Sequence, residues 1–146
     1  MGESSQTWLL LSYKVPRAPS ANRVYVWRKL KRLGATALAD SVWVLPLTRQ
    51  TREHFRWLAS EIEEMGGETT LWESKLLDGA ADKLVSEIAA VAETVYRDIL
   101  KSLRKKSPDV AALSRRYQEA LALDYFGSAM AAKVRTALLA AKGEDD

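Results

Sequence analysis

Apolar residues recur with two different spacings along the chain, and the spacing separates strands from helices. Residues 7–15 are apolar at first, alternate toward their end and stop at prolines, which predicts a central strand. Residues 35–47 predict two strands separated by a short turn at 39–40. Residues 69–77 predict a fourth strand, at a sheet edge because Glu73 and a following lysine place charge in it.

Two segments between these strands have the spacing of amphipathic helices. The first helix is predicted to be capped by Ser20 or Asn22 and to end at Leu33, before a glycine. The second follows Thr48 or Thr51 and ends at a glycine pair. The apolar stripe of the first helix is Val26, Trp27, Leu30 and Leu33. That of the second helix is Phe55, Leu58, Ile62 and Met65.

The predicted order of strand, helix, strand, strand, helix, strand indicates an α+β fold, a ferredoxin-like βαββαβ sandwich over residues 1–77. Three more helices are predicted at about 80–106, 110–123 and 128–141. They form a C-terminal helical extension, residues 78–146, which we expect to pack on the same domain. In this fold the two helices between the strands cover only one sheet face.

The five tryptophans bear on what covers the other face. Trp27 and Trp57 fall on helices and Trp8, Trp43 and Trp72 on strands, so core packing explains most of them. Three strand tryptophans nevertheless give the sheet more apolar surface than two helices can cover. A homodimer is therefore the favoured interpretation, and coverage by the C-terminal helices is the alternative.

Composition excludes several classes of chemistry. The chain has 146 residues, no cysteine and one histidine, His54, so thiol catalysis and thiolate metal sites are excluded. No serine shares a helix face with His54, and Glu61 and Glu64 lack a third ligand, so neither predicts a catalytic or metal site. We expect neither an enzyme nor a cofactor. The sequence shows no signal peptide and no apolar run near the ~20 residues of a membrane helix, which predicts a cytoplasmic protein without a membrane partner.

Positive charge is concentrated near the start of the chain. Residues 1–34 contain seven Lys and Arg residues against one acid. Such a surface attracts polyanions, although a solvated helix face has the same composition. The candidate nucleic-acid contacts are Arg28, Lys29, Arg32, Arg104, Lys105 and Lys106.

A second candidate site is the segment between the first strand and the first helix. Lys14, Arg17 and Arg23 surround a predicted helix N-terminus, where free backbone N–H groups favour anions. These residues could bind an oxyanion. A structural crossover carrying solvated cations is the alternative interpretation.

Several segments resemble the N-terminal domain of the ChrB family of chromate-resistance regulators. The most specific are LLLSYKVPR, VWRKLKRLG and SVWVLP, and SRRYQEALALDYFGSA resembles the helical end of that domain, so the resemblance covers residues 7–140. The family is similar in layout to the ferredoxin-like middle domain of the phenylacetate repressor PaaX. A carboxylate at the end of the first strand, which a related metal-dependent nuclease needs, is replaced here by Lys14.

The resemblance implies DNA-linked, chromate-responsive regulation of chromate efflux, with operator DNA and chromate as partners. Full-length family members carry a second, C-terminal domain, so chromate could bind there instead of at the Lys14, Arg17 and Arg23 cluster. A dimerisation or protein-interaction module without direct DNA contact is the alternative. The operator sequence and the oligomeric state stay open at this point.

Overall fold

Four strands and five helices make up the part of the chain that the computed structural model describes, residues 6–77 and 81–144. The α+β class predicted from the sequence is confirmed. The elements, in chain order, are β1 (Trp8–Lys14), α1 (Ser20–Arg32), β2 (Thr36–Ala39), β3 (Val42–Pro46), α2 (Arg49–Glu64), β4 (Glu68–Ser74), α3 (Ala81–Leu103), α4 (Val110–Ala122) and α5 (Met130–Glu144).

The strands form one sheet in the order β2-β3-β1-β4. Each neighbouring pair is antiparallel, with Leu9 opposite Leu45 and Leu11 opposite Trp43 where β1 meets β3. The prediction of a central first strand and an edge fourth strand is confirmed. The register places Leu9, Leu11, Trp43 and Leu45 on one face, because cross-strand partners in an antiparallel pair project to the same side.

The N-termini of α1 and α2 are capped differently. Neither Ser20 nor Asn22 caps α1: the cap position is Pro19, and no side chain bonds to the first turn. The start of α2 follows the prediction, since Thr48 Oγ1 accepts from the Thr51 N–H at 3.0 Å and Thr51 Oγ1 from the Thr48 N–H at 2.8 Å. The buried Thr51 hydroxyl also donates to the Pro46 carbonyl at 2.7 Å, which ties α2 to the end of β3.

The chain divides into two compact units, Met1–Leu84 and Val85–Asp146. In the first unit the buried core combines β1, β3, α1 and α2, and its fully enclosed side chains include Leu11, Leu30, Leu45 and Phe55. The ion pair between Arg52 Nη2 and Glu73 Oε1, at 2.5 Å, links α2 to β4. The expected boundary at residue 77, and packing of the helical extension on the same domain, stay predictions.

The second unit has a core of its own, built from three helices. Its buried side chains are Ala92, Tyr96, Ile99, Leu113, Tyr117, Ala120, Val134 and Leu138. The Tyr96 hydroxyl donates to Asp124 Oδ2 at 2.8 Å, and the same carboxylate accepts the Ser128 N–H at 2.9 Å. The segment between α4 and α5 is therefore held by side chains from inside the unit.

Two helix boundaries in the second unit differ from the expectation. The helix predicted to reach residue 106 ends at Leu103, and the last helix begins at Met130 rather than Ser128. Ser128 lies before the helix, where its hydroxyl accepts the Met130 N–H at 3.1 Å and donates to Glu93 at 2.9 Å. No described helix is long and apolar enough to span a membrane.

Most tryptophans are not core residues, and the sequence-based interpretation is wrong on this point. Trp8 and Trp43 are buried at 2% and 4% exposure, whereas Trp27, Trp57 and Trp72 are 51%, 72% and 55% exposed. Trp27 was expected in the apolar stripe of α1, but of that stripe Val26, Leu30 and Leu33 are the buried members. The homodimer stays a prediction.

Candidate functional site

A large open groove lies in the first unit, where the end of β1, one face of α1 and the turn between β2 and β3 meet. We call it the β1–α1 groove; its volume is about 940 Å³. Ligand sites for small molecules have volumes of roughly 300–1,000 Å³, so this one lies at the upper end of the range. The groove is lined by Tyr13, Lys14, Val15, Ser20, Arg23, Val24, Trp27, Arg28, Asp40 and Ser41.

The α1 residues of the groove form one continuous helical face. Arg23 and Trp27, like Val24 and Arg28, are four residues apart and therefore neighbours on the helix surface. An adjoining face of α1 carries Val26 and Leu30 into the core at 0% exposure. The spacing that buries one side of the helix thus places two arginines and an indole beside the groove.

Tyr13 forms the inner wall of the groove at the end of β1. Its backbone N–H donates to the Ser41 carbonyl at 3.0 Å, which joins β1 to the turn that carries Asp40. Burial raises the pKa of the Tyr13 hydroxyl; the Trp43 indole N–H and the Arg23 charge oppose this rise, and Asp40 adds to it.

The position of Lys14 depends on a glycine at the end of α2. A Cβ added at Gly67 would lie 2.3 Å from the Lys14 carbonyl oxygen and 2.7 Å from Ile62 Cγ2. The start of β4 can approach the end of β1 this closely because residue 67 has no side chain. The close approach fixes the backbone from which the Lys14 side chain projects.

The structure brings together two of the three residues expected to bind an oxyanion. Lys14 and Arg23 both line the groove. Arg17 is exposed in the segment before α1 and does not line it. The oxyanion site therefore stays a prediction, with Lys14 and Arg23 as its converging members.

The residues expected to contact nucleic acid fall into two groups. Arg28 lines the groove and Arg32 is exposed one turn later, while Lys29 is half-buried on the flank of α1. Arg104, Lys105 and Lys106 are exposed in the turn after α3 rather than on the helix, in the second unit. Binding of nucleic acid by either group stays a prediction.

Two neighbours modify the basic surface of α1. The Lys31 ammonium lies 5.6 Å from the ring centroid of Trp27, within the range of a cation–π interaction. The Tyr25 hydroxyl donates to the Glu61 carboxylate; this hydrogen bond raises the pKa of Tyr25, and the Arg32 charge opposes the rise. Lys31 and Arg32 therefore each lie close to an aromatic side chain of α1.

The groove residues that were not identified from the sequence include Tyr13, Trp27 and Asp40. The alternation of β1 does place Tyr13 on the same face as Leu9 and Leu11, and Trp27 lies one turn after Arg23. These signals are weak, because an aromatic residue at such a position is more often buried. Asp40 was recognised only as part of a turn, and its place beside Tyr13 depends on strand pairing.

The described residues contain no group of three or more His, Asp or Glu side chains placed to hold a metal ion. The fold and the groove define a class of protein: an α+β domain with a basic, aromatic-lined surface cleft, followed by a separate helical unit. These features alone do not identify the family to which the chain belongs.

A family model described as "Protein ChrB, N-terminal" matches residues 23–122, more than half of the chain, and the chain belongs to that family. This confirms the resemblance seen in the sequence. The chain is also similar to Protein ChrB from Cupriavidus metallidurans, with 38% identity over 60 residues. That match spans 41% of this chain but only 18% of the relative's length. No solved structure gives a significant match.

Proposed function

We propose that the chain is a regulatory domain of chromate resistance that acts through DNA and catalyses no reaction. Its membership of the ChrB N-terminal family is the observation that carries this proposal. The exposed basic surface in the first unit supports the DNA part of it, because phosphate contacts from Lys and Arg supply most of the affinity of DNA-binding proteins.

The DNA contact would be made by α1. Arg28 and Arg32 are exposed on neighbouring turns and Lys29 lies beside them, so a phosphate backbone could contact all three. Arg104, Lys105 and Lys106 would form a second contact from the turn after α3. Because the candidates are charged side chains rather than a recognisable reading helix, backbone contact is favoured over base readout.

Chromate would bind at the end of β1. It is a tetrahedral dianion and needs two or more converging donors or cations. Lys14 and Arg23 line one groove, and Arg17 is exposed in the segment between β1 and α1 outside it. If sensing belongs instead to another part of a longer relative, chromate will not bind this chain.

For the first unit we propose the ferredoxin-like fold. The strand order β2-β3-β1-β4 with antiparallel neighbours supports it. The helix connections support it as well. Helix α1 joins β1 to β2, and α2 joins β3 to β4. In both cases one other strand lies between the two strands that the helix joins.

A dimerisation module is the second candidate, and it rests on a different observation. Trp72 and Leu77, at the end of the first unit, are 55% and 97% exposed. Exposed large apolar side chains mark interfaces when they form a patch. Sedimentation across micromolar concentrations tests this candidate: a concentration-dependent homodimer supports it and a persistent monomer contradicts it.

The test of DNA binding is a salt titration with DNA from a chromate-efflux operon. We expect the triple variant Arg28→Glu, Lys29→Glu, Arg32→Glu to bind more weakly and to have a shallower dependence of log K on log salt. Each lost phosphate contact lowers that slope by about 0.9.

The matched control reverses the charge of three exposed residues outside α1, with the substitutions Arg49→Glu, Arg56→Glu and Lys133→Glu. It changes the net charge of the chain by the same amount as the α1 variant. A larger loss in the α1 variant than in the control supports a contact at α1. Equal slopes in the two variants would remove α1 from the interface.

A further inference from the structure

We propose that the β1–α1 groove binds a free nucleotide with two or more phosphates, which Lys14 and Arg23 hold while the base lies against Trp27. This inference goes beyond the proposed regulatory function, and it does not depend on whether DNA binds to α1. It adds a small-molecule ligand to a surface for which an inorganic oxyanion and, at Arg28, nucleic acid were expected.

The groove has more room and more apolar surface than an inorganic oxyanion needs. Its volume is about 940 Å³, and besides its cations it is lined by Val15, Val24, Tyr13 and Trp27. Chromate or sulfate has four oxygens and no apolar surface, so it would leave these side chains in water. A ligand that uses the whole groove carries an anionic part and a flat apolar part.

The cations of the groove are available to such an anion. Within residues 6–77 and 81–144, no salt bridge engages Lys14, Arg23 or Arg28. The groove contains one carboxylate, Asp40, against these three cations. The excess of positive charge matches a di- or triphosphate better than a neutral or singly charged ligand.

The aromatic part of the site is Trp27. Its indole is 51% exposed, although tryptophan is the side chain that gains most from burial. Lys31 lies 5.6 Å from the ring centroid and is not among the residues that line the groove. Stacking of a base on an exposed aromatic side chain next to arginines is a common way in which proteins hold nucleotides.

The turn between β2 and β3 supplies the remaining polar groups. Asp40 can only accept hydrogen bonds while ionised, and Ser41 can donate and accept. These groups suit the hydroxyls of a sugar and would repel additional phosphates. Their position is fixed by the hydrogen bond from the Tyr13 N–H to the Ser41 carbonyl.

The test is a calorimetric titration with ADP and with its two fragments, adenosine and inorganic pyrophosphate. We expect ADP to bind at least 10-fold more tightly than either fragment, because each fragment fills only part of the groove. Pyrophosphate that binds as tightly as ADP would show an anion site without base recognition and would overturn the proposal. Adenosine that binds as tightly as ADP would overturn the phosphate contact.

Two variants locate the ligand in the groove. Arg23→Ala should weaken ADP binding about 10- to 100-fold, and Trp27→Leu about 5- to 100-fold, from the usual free energies of charged hydrogen bonds and base stacking. Both side chains are exposed, so circular dichroism and the melting temperature should stay unchanged. The matched controls are Arg56→Ala and Trp57→Leu on the exposed side of α2, which should bind ADP like the unmodified chain.

Titration with a single-stranded adenine oligonucleotide distinguishes binding of a free nucleotide from binding of a nucleotide within a polymer. Weaker binding of the oligonucleotide, per nucleotide, than of ADP supports the proposal. Tighter binding of the oligonucleotide would overturn it, as would ADP binding that the α2 controls reduce as much as the groove variants do. No heat and no thermal shift at millimolar ADP would also overturn it.

Discussion

The β1–α1 groove and the core of the second unit contain similar residue types in opposite situations. In the second unit Tyr96 is fully buried, its hydroxyl donates to Asp124, and its ring lies 6.1 Å from that of Tyr117. In the groove Trp27 is half-exposed, and within residues 6–77 and 81–144 no salt bridge engages Arg23 or Arg28. One set of aromatic and polar side chains is satisfied within the protein, and the other faces solvent.

This difference indicates which polar and aromatic side chains stabilise the fold and which are exposed for binding. A buried hydroxyl that is hydrogen-bonded to a carboxylate stabilises one arrangement of the helices and has little capacity left for a ligand. An exposed indole beside cations that form no salt bridge with any described residue adds little to folding and retains its capacity to bind. We therefore infer that these side chains of the second unit stabilise its core, and that the groove of the first unit is a binding surface.

The largest expected effect is in the core of the second unit. Ile99 is fully buried in the cluster around Tyr96, so Ile99→Ala removes apolar contacts and leaves a cavity. We expect the free energy of unfolding to fall by about 2–5 kcal/mol. Urea denaturation measures it, with Leu139→Ala as the control because Leu139 is 58% exposed. An equal effect of the two substitutions would contradict the assignment of this core.

A smaller loss is expected at the close approach of β4 to β1. Gly67→Ala places a methyl group 2.3 Å from the Lys14 carbonyl, so backbone must shift. We expect a loss of about 1–3 kcal/mol in the free energy of unfolding. Gly143→Ala is the control, since a Cβ there meets nothing within 4 Å. If Gly67→Ala is as stable as the control, the approach is looser than the structure shows.

The smallest expected effect concerns the Tyr96 hydroxyl. Tyr96→Phe keeps the ring and removes the hydrogen bond to Asp124, which should cost about 1–2 kcal/mol at neutral pH. Asp124 still accepts the Ser128 N–H in the variant, which limits the loss. Thermal or urea unfolding at pH 7 measures the difference. A variant that is as stable as the unmodified chain would show that the bond contributes nothing.

The same group predicts a pH dependence. Burial, and then the hydrogen bond to Asp124, raise the pKa of Tyr96 above its value of about 10 in the unfolded chain. A raised pKa means that the folded state favours the protonated hydroxyl. Its stabilisation is complete below about pH 10 and is lost as the pH rises toward the folded pKa.

Unfolding measured between pH 8 and 11 tests this dependence. The unmodified chain should lose more stability above pH 10 than Tyr96→Phe does. Burial also raises the pKa of Tyr125, to about 12, so Tyr125→Phe should remove a separate part of the alkaline loss. Parallel curves for the unmodified chain and both variants would contradict the raised pKa values.

The sequence predicted most of the fold, because its signals are local. The proline after β1, the threonine pair before α2 and the glycines after α1 and α2 set those element ends through backbone conformations that few other residues allow. The cap of α1 was predicted wrongly, since a serine at the first helical position has the same local signature as a serine at the cap.

The candidate site was predicted only in part, because it depends on contacts between distant residues. Lys14 and Arg23 could be grouped from the sequence, since one short crossover joins them. Asp40 reaches the groove through the pairing that brings Ser41 to Tyr13, and no periodicity reveals that. Trp27 was assigned to the core because its spacing fits the buried stripe of α1 nearly as well as the groove face.

The central claim is that this protein meets its anionic partners at the surface formed by α1 and the end of β1. Backbone amide chemical shifts, recorded while DNA from a chromate-efflux operon is added at low salt, test it most directly. We predict that the shift changes concentrate along α1 at Arg28, Lys29 and Arg32, with a second set in the turn at Arg104, Lys105 and Lys106. Changes confined to α4 and α5, or no changes in the first unit at saturating DNA, would contradict the account.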